Sequence, residues 1–263
     1  GHGGRLAGPL QVDPGSHTSA DVGDEALMLS RDGLPVWVAR DRLAGARAAA
    51  AAGATVVVMD DGHQNPRLTK ALSLVVVDGE TRDEEWPFGD GSVFPAGPMR
   101  EPLAVGLARA DAVVLLLPAD LAEPDPRLLG LLQSKPVLTA RLEPLNPPPG
   151  GSQLAFAGIG KPWKFERALV AAGCELVDFA PLPDHAAVPE ATLRFLADRA
   201  EALGAGLLAT EKDWVRLPPA WRERIAAWPV AAKFEDEAAL DAILDRRNSA
   251  GSSLPSRPEG GSR

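Results

Sequence analysis

The run Val113-Val114-Leu115-Leu116-Leu117 is short, wholly apolar and made of branched side chains. Such a run is typical of a strand that is buried on both faces of a sheet, because a half-exposed strand alternates apolar with polar residues. The same texture recurs at Thr55–Met59, Leu74–Val77 and Val137–Ala140, with helical or loop segments between the runs. The sequence therefore predicts an α/β fold built on a mostly parallel sheet.

The segment Pro147-Pro148-Pro149-Gly150-Gly151 marks the clearest internal boundary. The alternation of strands and helices restarts after it, with predicted strands at Leu154–Ala157, Glu175–Phe179, Gly206–Ala209 and Val230–Phe234 and predicted helices at Pro162–Ala172, Pro189–Leu203 and Glu237–Arg246. We expect a first domain over residues 1–150, a smaller C-terminal α/β subdomain over residues 151–247, and a disordered Ser-Gly-Pro-rich tail over residues 248–263.

The composition excludes several classes of protein. A net charge of −9 over 263 residues argues against nucleic-acid binding, which needs a basic surface. The single cysteine, Cys174, cannot form an internal disulfide, which fits a reducing compartment. No uncharged run reaches the roughly 18–20 apolar residues that a membrane helix requires.

Acidic residues follow the apolar run at Thr55–Met59, where Asp60 and Asp61 precede Gly62. Carboxylates after a strand lie at the carboxyl edge of a parallel sheet, where they can hold Mg²⁺ against nucleotide phosphates, as in a Walker B motif. The alternative is a strand that simply enters an Asp-Gly turn. Both interpretations stay open on this segment alone.

Two further motifs carry candidate proton-transfer groups. Asp24 and Glu25 follow Gly23 and precede an apolar run, so they either stabilise a helix N-terminus or place a carboxylate where it accepts a proton from a substrate hydroxyl. His185 follows Asp184 in a predicted loop, where it either pairs with a carboxylate and tunes its basicity or has no role. The spacing of the four histidines does not suggest a zinc site.

Two motifs carry candidate phosphate-binding cations. The segment Thr210-Glu211-Lys212-Asp213 follows a short apolar run, and is either a Thr-capped helix start or a loop that brings Lys212 to a crevice. Arg100 lies in the Pro-rich segment 95–102, where it either forks onto a phosphate or pairs with an acid such as Glu101.

In order and spacing, these motifs resemble the tetraacyldisaccharide 4′-kinase family of lipid A biosynthesis, from residue 1 to about residue 246. The matching segments are Gly1-His2-Gly3-Gly4-Arg5, Val22-Gly23-Asp24-Glu25, Asp60-Asp61-Gly62-His63-Gln64, Val75-Val76-Val77-Asp78, Pro95-Ala96-Gly97-Pro98-Met99-Arg100-Glu101-Pro102, Phe156-Ala157-Gly158-Ile159-Gly160, Pro183-Asp184-His185 and Thr210-Glu211-Lys212-Asp213.

The resemblance implies an α/β, P-loop kinase-like domain that is incomplete at its N-terminus, followed by the smaller α/β subdomain. It implies transfer of the ATP γ-phosphate, with Mg²⁺, to the 4′-hydroxyl of a tetraacyldisaccharide 1-phosphate. The implied partners are ATP and the acylated disaccharide lipid. The implied location is cytoplasmic, at the cytoplasmic face of the inner membrane, with peripheral contact by the full-length protein.

Roles for single residues also follow from the resemblance. It implies that Asp24 is the base toward the 4′-hydroxyl and that His185 is its partner. The remaining implied site residues are the metal-binding acids Asp60, Asp61 and Glu25, and the substrate or phosphate contacts Arg100, Gln64 and Lys212.

The sequence departs from the family in four places. The Asp-Asp-Gly motif continues with His63-Gln64-Asn65, where the family usually has an aromatic residue, Gln and His. His2 stands where the family has Tyr, Ala186 follows His185 where a second His is common, and no G-x-x-x-x-G-K-[ST] phosphate loop occurs. The chain also starts at Gly1 without an initiator Met. We expect a portion of a longer kinase that is inactive alone, because the retained acids make sense only with a phosphate loop. The alternative is a non-catalytic α/β remnant that binds an acylated sugar phosphate or a protein partner.

Overall fold

The computed structural model describes residues 3–184 and 186–251. The strands are β1 (Leu10–Gln11), β2 (Trp37–Val38), β3 (Leu74–Asp78), β4 (Ala112–Pro118), β5 (Val137–Pro144), β6 (Gln153–Ala157), β7 (Leu176–Pro181), β8 (Gly206–Thr210), β9 (Ile225–Trp228) and β10 (Val230–Phe234). The helices are α1 (Ser19–Val22), α2 (Asp24–Arg31), α3 (Arg42–Ala51), α4 (Leu103–Arg109), α5 (Pro126–Leu132), α6 (Pro162–Ala171), α7 (Glu190–Ala202), α8 (Glu211–Trp214), α9 (Pro219–Arg222) and α10 (Glu237–Gly251).

The chain divides into two compact units. The first contains Gly1–Asp60 and Pro144–Ala231, and the second contains Asp61–Glu143 and Ala232–Arg263. The first sixty residues thus belong to the same compact unit as the segment that follows the predicted boundary near residue 150. The sequence predicted instead a first domain of residues 1–150. Helix α10 continues to Gly251, into the start of the predicted tail, and residues 252–263 lie outside the described residues.

The first unit is built on a four-stranded parallel sheet with the order β7-β6-β8-β9. Every residue of the central strand β6 is buried, as expected for a strand covered on both faces. Leu193 and Leu196 of α7 pack with Phe156 on one face. On the other face, α6 packs against the alternate residues of β6. The predicted strands and helices of this region are confirmed.

The N-terminal segment joins this unit through a small apolar cluster. Val22 and Leu27, at 1% exposure each, pack with Val215 and the partly buried Trp214. Helix α2 therefore lies against α8 and the residue that follows it. The short antiparallel pair β1–β2 belongs to the same cluster through Leu10 and Val38.

The second unit contains the parallel strands β3, β4 and β5, with β10 beside β5. Leu115 and Leu117 of β4 pack with Leu128 and Leu132 of α5 on one face of the sheet. On the other face, the cluster of Val114, Leu138 and Ala140 is covered in part by side chains of α10. The apolar run at residues 113–117 is therefore a strand buried on both faces, as predicted.

The predicted buried strand at Thr55–Met59 is wrong. This segment pairs with no strand in the described part of the chain, and Val56 and Val58 are 70% and 91% exposed. Burial of an apolar strand depends on a neighbour that completes its hydrogen-bonded ladder. β3 likewise lies at an edge of its sheet, and its Val76 is 63% exposed.

Candidate active site

Three parallel strands of the first unit end at one edge of its sheet. β6, β7 and β8 end at Ala157, Pro181 and Thr210, and their registers place these ends side by side. The segments that follow are residues 158–161, residues 182–184 and helix α8. Ligands of parallel α/β sheets bind at the carboxyl ends of the strands. The fold thus brings together three motifs that are far apart in the sequence.

Asp213 is the buried centre of this edge. Its carboxylate has no exposed surface, accepts a hydrogen bond from the backbone N–H of Gly158 at 2.9 Å, and accepts another from the Thr210 hydroxyl at 2.5 Å. The Thr210 hydroxyl in turn accepts from the backbone N–H of Asp213 at 3.0 Å. The capping interpretation of Thr210 is therefore confirmed, and the cap also fixes α8 to the turn after β6.

Gly158 has no room for a side chain. An added Cβ would lie 2.9 Å from Oδ1 of Asp213 and 3.1 Å from the carbonyl oxygen of Pro183. The Leu182 N–H donates to the carbonyl of Ala157 at 2.8 Å, so the loop after β7 is held against this turn. Gly160 lies beside Asp184 at an ordinary contact distance, since an added Cβ would be 3.4 Å from Oδ2. The glycines therefore bring the Asp184 loop to the sheet edge.

Asp24 is the first residue of α2 and is held on two sides. Its Oδ2 accepts from Nε of Arg216 at 2.9 Å and from Nη2 of Arg216 at 2.5 Å. Its Oδ1 accepts from the backbone N–H of Glu25 at 3.0 Å. The side chains of Asp24 and Arg216 are 11% and 5% exposed, so this ion pair is largely shielded from water.

The electrostatic environment keeps Asp24 ionised. Burial raises the pKa of the Asp24 carboxyl, but the hydrogen bonds and charge of Arg216 and the charge of Lys212 lower it by more, so the pKa lies below its ordinary value. Lys212 also forms an ion pair with Glu25, at 3.1 Å between Nζ and Oε1. Asp24, Glu25 and Lys212, three of the predicted site residues, thus lie together.

Arg216 is a residue of this cluster that sequence reasoning missed. It also donates to the carbonyl of Gly158 at 3.1 Å and to Oδ1 of Asp213 at 3.2 Å. The available signal was its position one helical turn after Asp213, since residues three apart share a helix face. The predicted partner His185 lies outside the described residues.

A second group of predicted residues lies in the second unit. Arg100 donates to Asp61 at 2.5 Å, which confirms the interpretation of Arg100 as the partner of an acid, although the acid is not Glu101. Gln64 donates to Oε1 of Glu101 at 3.1 Å, and Arg109 holds both oxygens of Glu101 at 2.5 and 2.6 Å. The hydrogen bond from Arg109 is the main reason why the pKa of Glu101 is lowered.

Three of these side chains, Gln64, Arg100 and Glu101, border a cavity of about 360 Å³ in the second unit. Its wall includes the apolar residues Val75, Val77, Phe88 and Leu107, and its polar side includes Gln64, Arg100 and Glu101. His63 also lines the cavity, but its ring nitrogens are engaged by the Ser73 hydroxyl at 2.6 Å and by the carbonyl of Gly106 at 3.0 Å. The cavity is open to solvent along the edge strand β3, where the lining residue Val76 is exposed.

The predicted metal-binding acids are distributed over both units. Glu25 belongs to the first unit and Asp61 to the second, while Asp60 is the last residue of the first unit's N-terminal segment, where its carbonyl accepts from Arg42 at 3.0 Å. Within residues 3–184 and 186–251, no group of three or more His, Cys, Asp or Glu side chains is arranged to hold a metal ion. The Walker B interpretation of Asp60 and Asp61 stays a prediction.

Known proteins resemble this chain over nearly its whole length. A family model described as tetraacyldisaccharide-1-P 4′-kinase matches residues 1–249. The tetraacyldisaccharide 4′-kinase of Phenylobacterium zucineum is 75% identical over 244 residues, which cover 93% of this chain and 74% of the relative. That of Caulobacter sp. strain K31 is 69% identical over 245 residues, covering 93% and 73%.

A solved structure agrees with these relatives. It is the crystal structure of the "apo" form of LpxK from Aquifex aeolicus in complex with ATP, with 25% sequence identity and a TM-score of 0.68, covering 94% of this chain and 76% of that one. The predicted α/β kinase-like fold and the predicted ATP-dependent kinase activity in lipid A biosynthesis are confirmed. The chain belongs to the tetraacyldisaccharide-1-P 4′-kinase family.

Proposed function

We propose that Asp24 accepts the 4′-hydroxyl proton when the ATP γ-phosphate is transferred to a tetraacyldisaccharide 1-phosphate. The observation that carries this proposal is the shielded Asp24–Arg216 pair at the carboxyl edge of a parallel sheet. Phosphoryl transfer passes through a loose transition state, so the main requirements are alignment and neutralisation of charge. The Asp24 carboxylate is ionised at neutral pH and can orient the hydroxyl as a hydrogen-bond acceptor, while its lowered pKa makes it a weaker base than an ordinary aspartate.

His185 is proposed as the partner of Asp24, as the family resemblance implies. The preceding residue, Asp184, lies beside Gly160 on the loop that is held against the turn after β6. This turn is also the place where Arg216 contacts the Gly158 carbonyl. Asp184, which precedes His185 in the sequence, therefore lies beside the turn that contacts Arg216, which supports the pairing.

Lys212, Arg100 and Gln64 are proposed to contact phosphate or sugar oxygens. Lys212 has a side chain that is 23% exposed and lies at Glu25, next to the proposed base. Arg100 is 64% exposed, and its planar guanidinium suits bidentate recognition of a phosphate. Gln64 contributes an amide donor at the border of the cavity of the second unit, which Arg100 also borders.

Asp60, Asp61 and Glu25 are each proposed as a carboxylate ligand for Mg²⁺, as the family resemblance implies. Their donor chemistry fits, because Mg²⁺ prefers carboxylate oxygen and usually combines one or two carboxylates with water and phosphate oxygens rather than a complete protein cage. The side chain of Asp61 is 52% exposed and so is accessible to a hydrated ion. When bound, the ion would neutralise charge on the β- and γ-phosphates.

Peripheral membrane contact at the cytoplasmic face of the inner membrane is also proposed. The support is chemical, since a substrate with four acyl chains is held in a lipid surface. In the described part of the chain, no helix combines the length and the apolar character needed to cross a bilayer. A vesicle flotation assay with and without the acylated disaccharide tests the contact.

The proposed function is tested by replacing Asp24 with Asn in the complete gene product. We expect kcat for transfer of labelled γ-phosphate to fall by roughly 10²–10⁴-fold, the usual contribution of a general base, with the thermal midpoint recorded alongside. Asp178→Asn is the matched control, because Asp178 pairs with Arg199 within the same unit and takes no part in the proposed chemistry. Unchanged turnover of Asp24→Asn would rule out this role. Absence of ATP binding and transfer by the unaltered protein would instead favour the non-catalytic alternative.

A further inference from the structure

Arg216 is the one described side chain that we find hydrogen-bonded to Asp24, to the turn after β6 and to α8 at the same time. It donates to the Asp24 carboxylate, to the Gly158 carbonyl and to the Asp213 carboxylate. Its side chain is only 5% exposed, so the guanidinium is fixed by protein groups rather than by solvent. Arg216 therefore joins α2 to the loops that form the sheet edge.

We propose that Arg216 is a positioning residue that holds the Asp24 carboxylate in the orientation needed to accept the proton of the sugar hydroxyl. This inference rests on the proposed role of Asp24. Two N–H groups of Arg216 converge on Oδ2, while the Glu25 N–H holds Oδ1, so rotation of the carboxylate would break at least one of these bonds. Displacement of a reacting group by about 1 Å can cost on the order of 10²-fold in rate.

The opposite side of the guanidinium is anchored just as firmly. Nη1 donates to the Gly158 carbonyl and to Asp213, whose carboxylate has no exposed surface and is itself held by Thr210 and the Gly158 N–H. Because Arg216 is hydrogen-bonded on this side as well, it cannot move together with Asp24 without breaking these bonds. Arg216 therefore fixes the position of Asp24 relative to the sheet edge.

This task requires an arginine rather than a second lysine. A guanidinium presents its N–H groups in a rigid planar fork, whereas an ammonium is a point charge with freely rotating donors. Lys212 already supplies such a charge near Asp24, and it forms an ion pair with Glu25. Lys212 thus adds positive charge near Asp24, whereas Arg216 supplies both charge and a fixed orientation.

The test compares Arg216→Ala, Arg216→Lys and the matched control Arg199→Ala in the complete gene product. Arg199 forms an ion pair with Asp178 in the same unit, away from the proposed base. We expect Arg216→Ala to lower kcat by about tenfold to a hundredfold with KM for both substrates nearly unchanged, because orientation affects the transition state rather than binding. Arg216→Lys should lose kcat as well, since it keeps the charge but not the fork.

Chemical rescue separates positioning from a structural role. Guanidinium ion at millimolar concentration, far below the level that unfolds a domain, should restore part of the kcat of Arg216→Ala and leave the wild type and Arg199→Ala unchanged. Circular dichroism measures the folded fraction of each variant. If Arg216→Ala does not fold, the positioning role is tested by the kcat of Arg216→Lys per folded molecule.

Three results would overturn the inference: a wild-type kcat for Arg216→Lys, a rise in KM without loss of kcat, or a folded Arg216→Ala variant that guanidinium does not restore. Failure of the proposed function looks different, because Asp24→Asn would then keep the turnover of the wild type. If Arg216→Lys has the kcat of the wild type while Asp24→Asn has a lowered kcat, only the positioning role of Arg216 is rejected.

Discussion

The backbone N–H of Gly158 donates to Oδ2 of Asp213 at 2.9 Å, across 55 residues of sequence. This bond joins the turn after β6 to the helix after β8, and it leaves no space at the glycine for a methyl group. The sheet edge that carries the proposed site therefore depends on a backbone–carboxylate contact as well as on the apolar packing of residues such as Leu182 and Trp214.

Gly158→Ala should destabilise the protein by about 1–3 kcal/mol, because its Cβ would overlap a buried carboxylate and a backbone carbonyl that cannot move aside. Urea denaturation gives the free energy of unfolding. Gly130→Ala is the matched control, since Gly130 lies within α5, its added Cβ meets nothing within 4 Å, and alanine favours a helix by up to about 1 kcal/mol. Equal effects of the two substitutions would contradict the close approach at Gly158.

The network at the end of β3 should be sensitive to loss of Arg82. This arginine holds the buried Glu80, which is 1% exposed, at 2.7 Å and also pairs with Asp120 at 2.8 Å. Arg82→Met should cost about 3 kcal/mol of unfolding free energy, because it leaves the Glu80 carboxylate buried without this partner. Arg127→Met is the control, since its pair with Asp125 lies at the surface and contributes about 0–1 kcal/mol. A loss no larger than that of the control would refute the network's importance.

Asp21 should contribute to acid unfolding. Hydrogen bonds from Thr18, with help from Arg5, lower the pKa of its carboxyl from 3.8 to about 2. Because the folded pKa is the lower one, the stabilisation is complete above pH 4 and is lost as the pH falls from about 4 to 2. Asp21→Asn should therefore flatten the dependence of the unfolding free energy on pH in that window, measured by urea titration at successive pH values. A slope identical to that of the wild type would show that the Thr18 and Arg5 contacts do not operate in solution.

The sequence was sufficient where the signal is local. The continuous apolar run at residues 113–117 is a strand covered on both faces, and the Gly-Asp-Glu and Thr-Glu-Lys-Asp motifs do meet at one site. The run at residues 55–59 is equally apolar and rich in branched side chains, but it is exposed. Burial of a strand depends on a neighbouring strand, and the local sequence does not show whether one is present. Arg216 was missed for a related reason, since its partner Asp24 is 192 residues away.

The separation of Asp24 and Arg216 also has a consequence for biosynthesis. The two residues are 192 positions apart, and synthesis proceeds at about 5–20 residues per second, so Asp24 is synthesised roughly 10–40 s before Arg216. During that interval α2 lacks the apolar cover of Val215 as well as the cation that balances its buried carboxylate. The segment around α2 therefore cannot complete its packing and its ion pair until the segment around Arg216 has been synthesised.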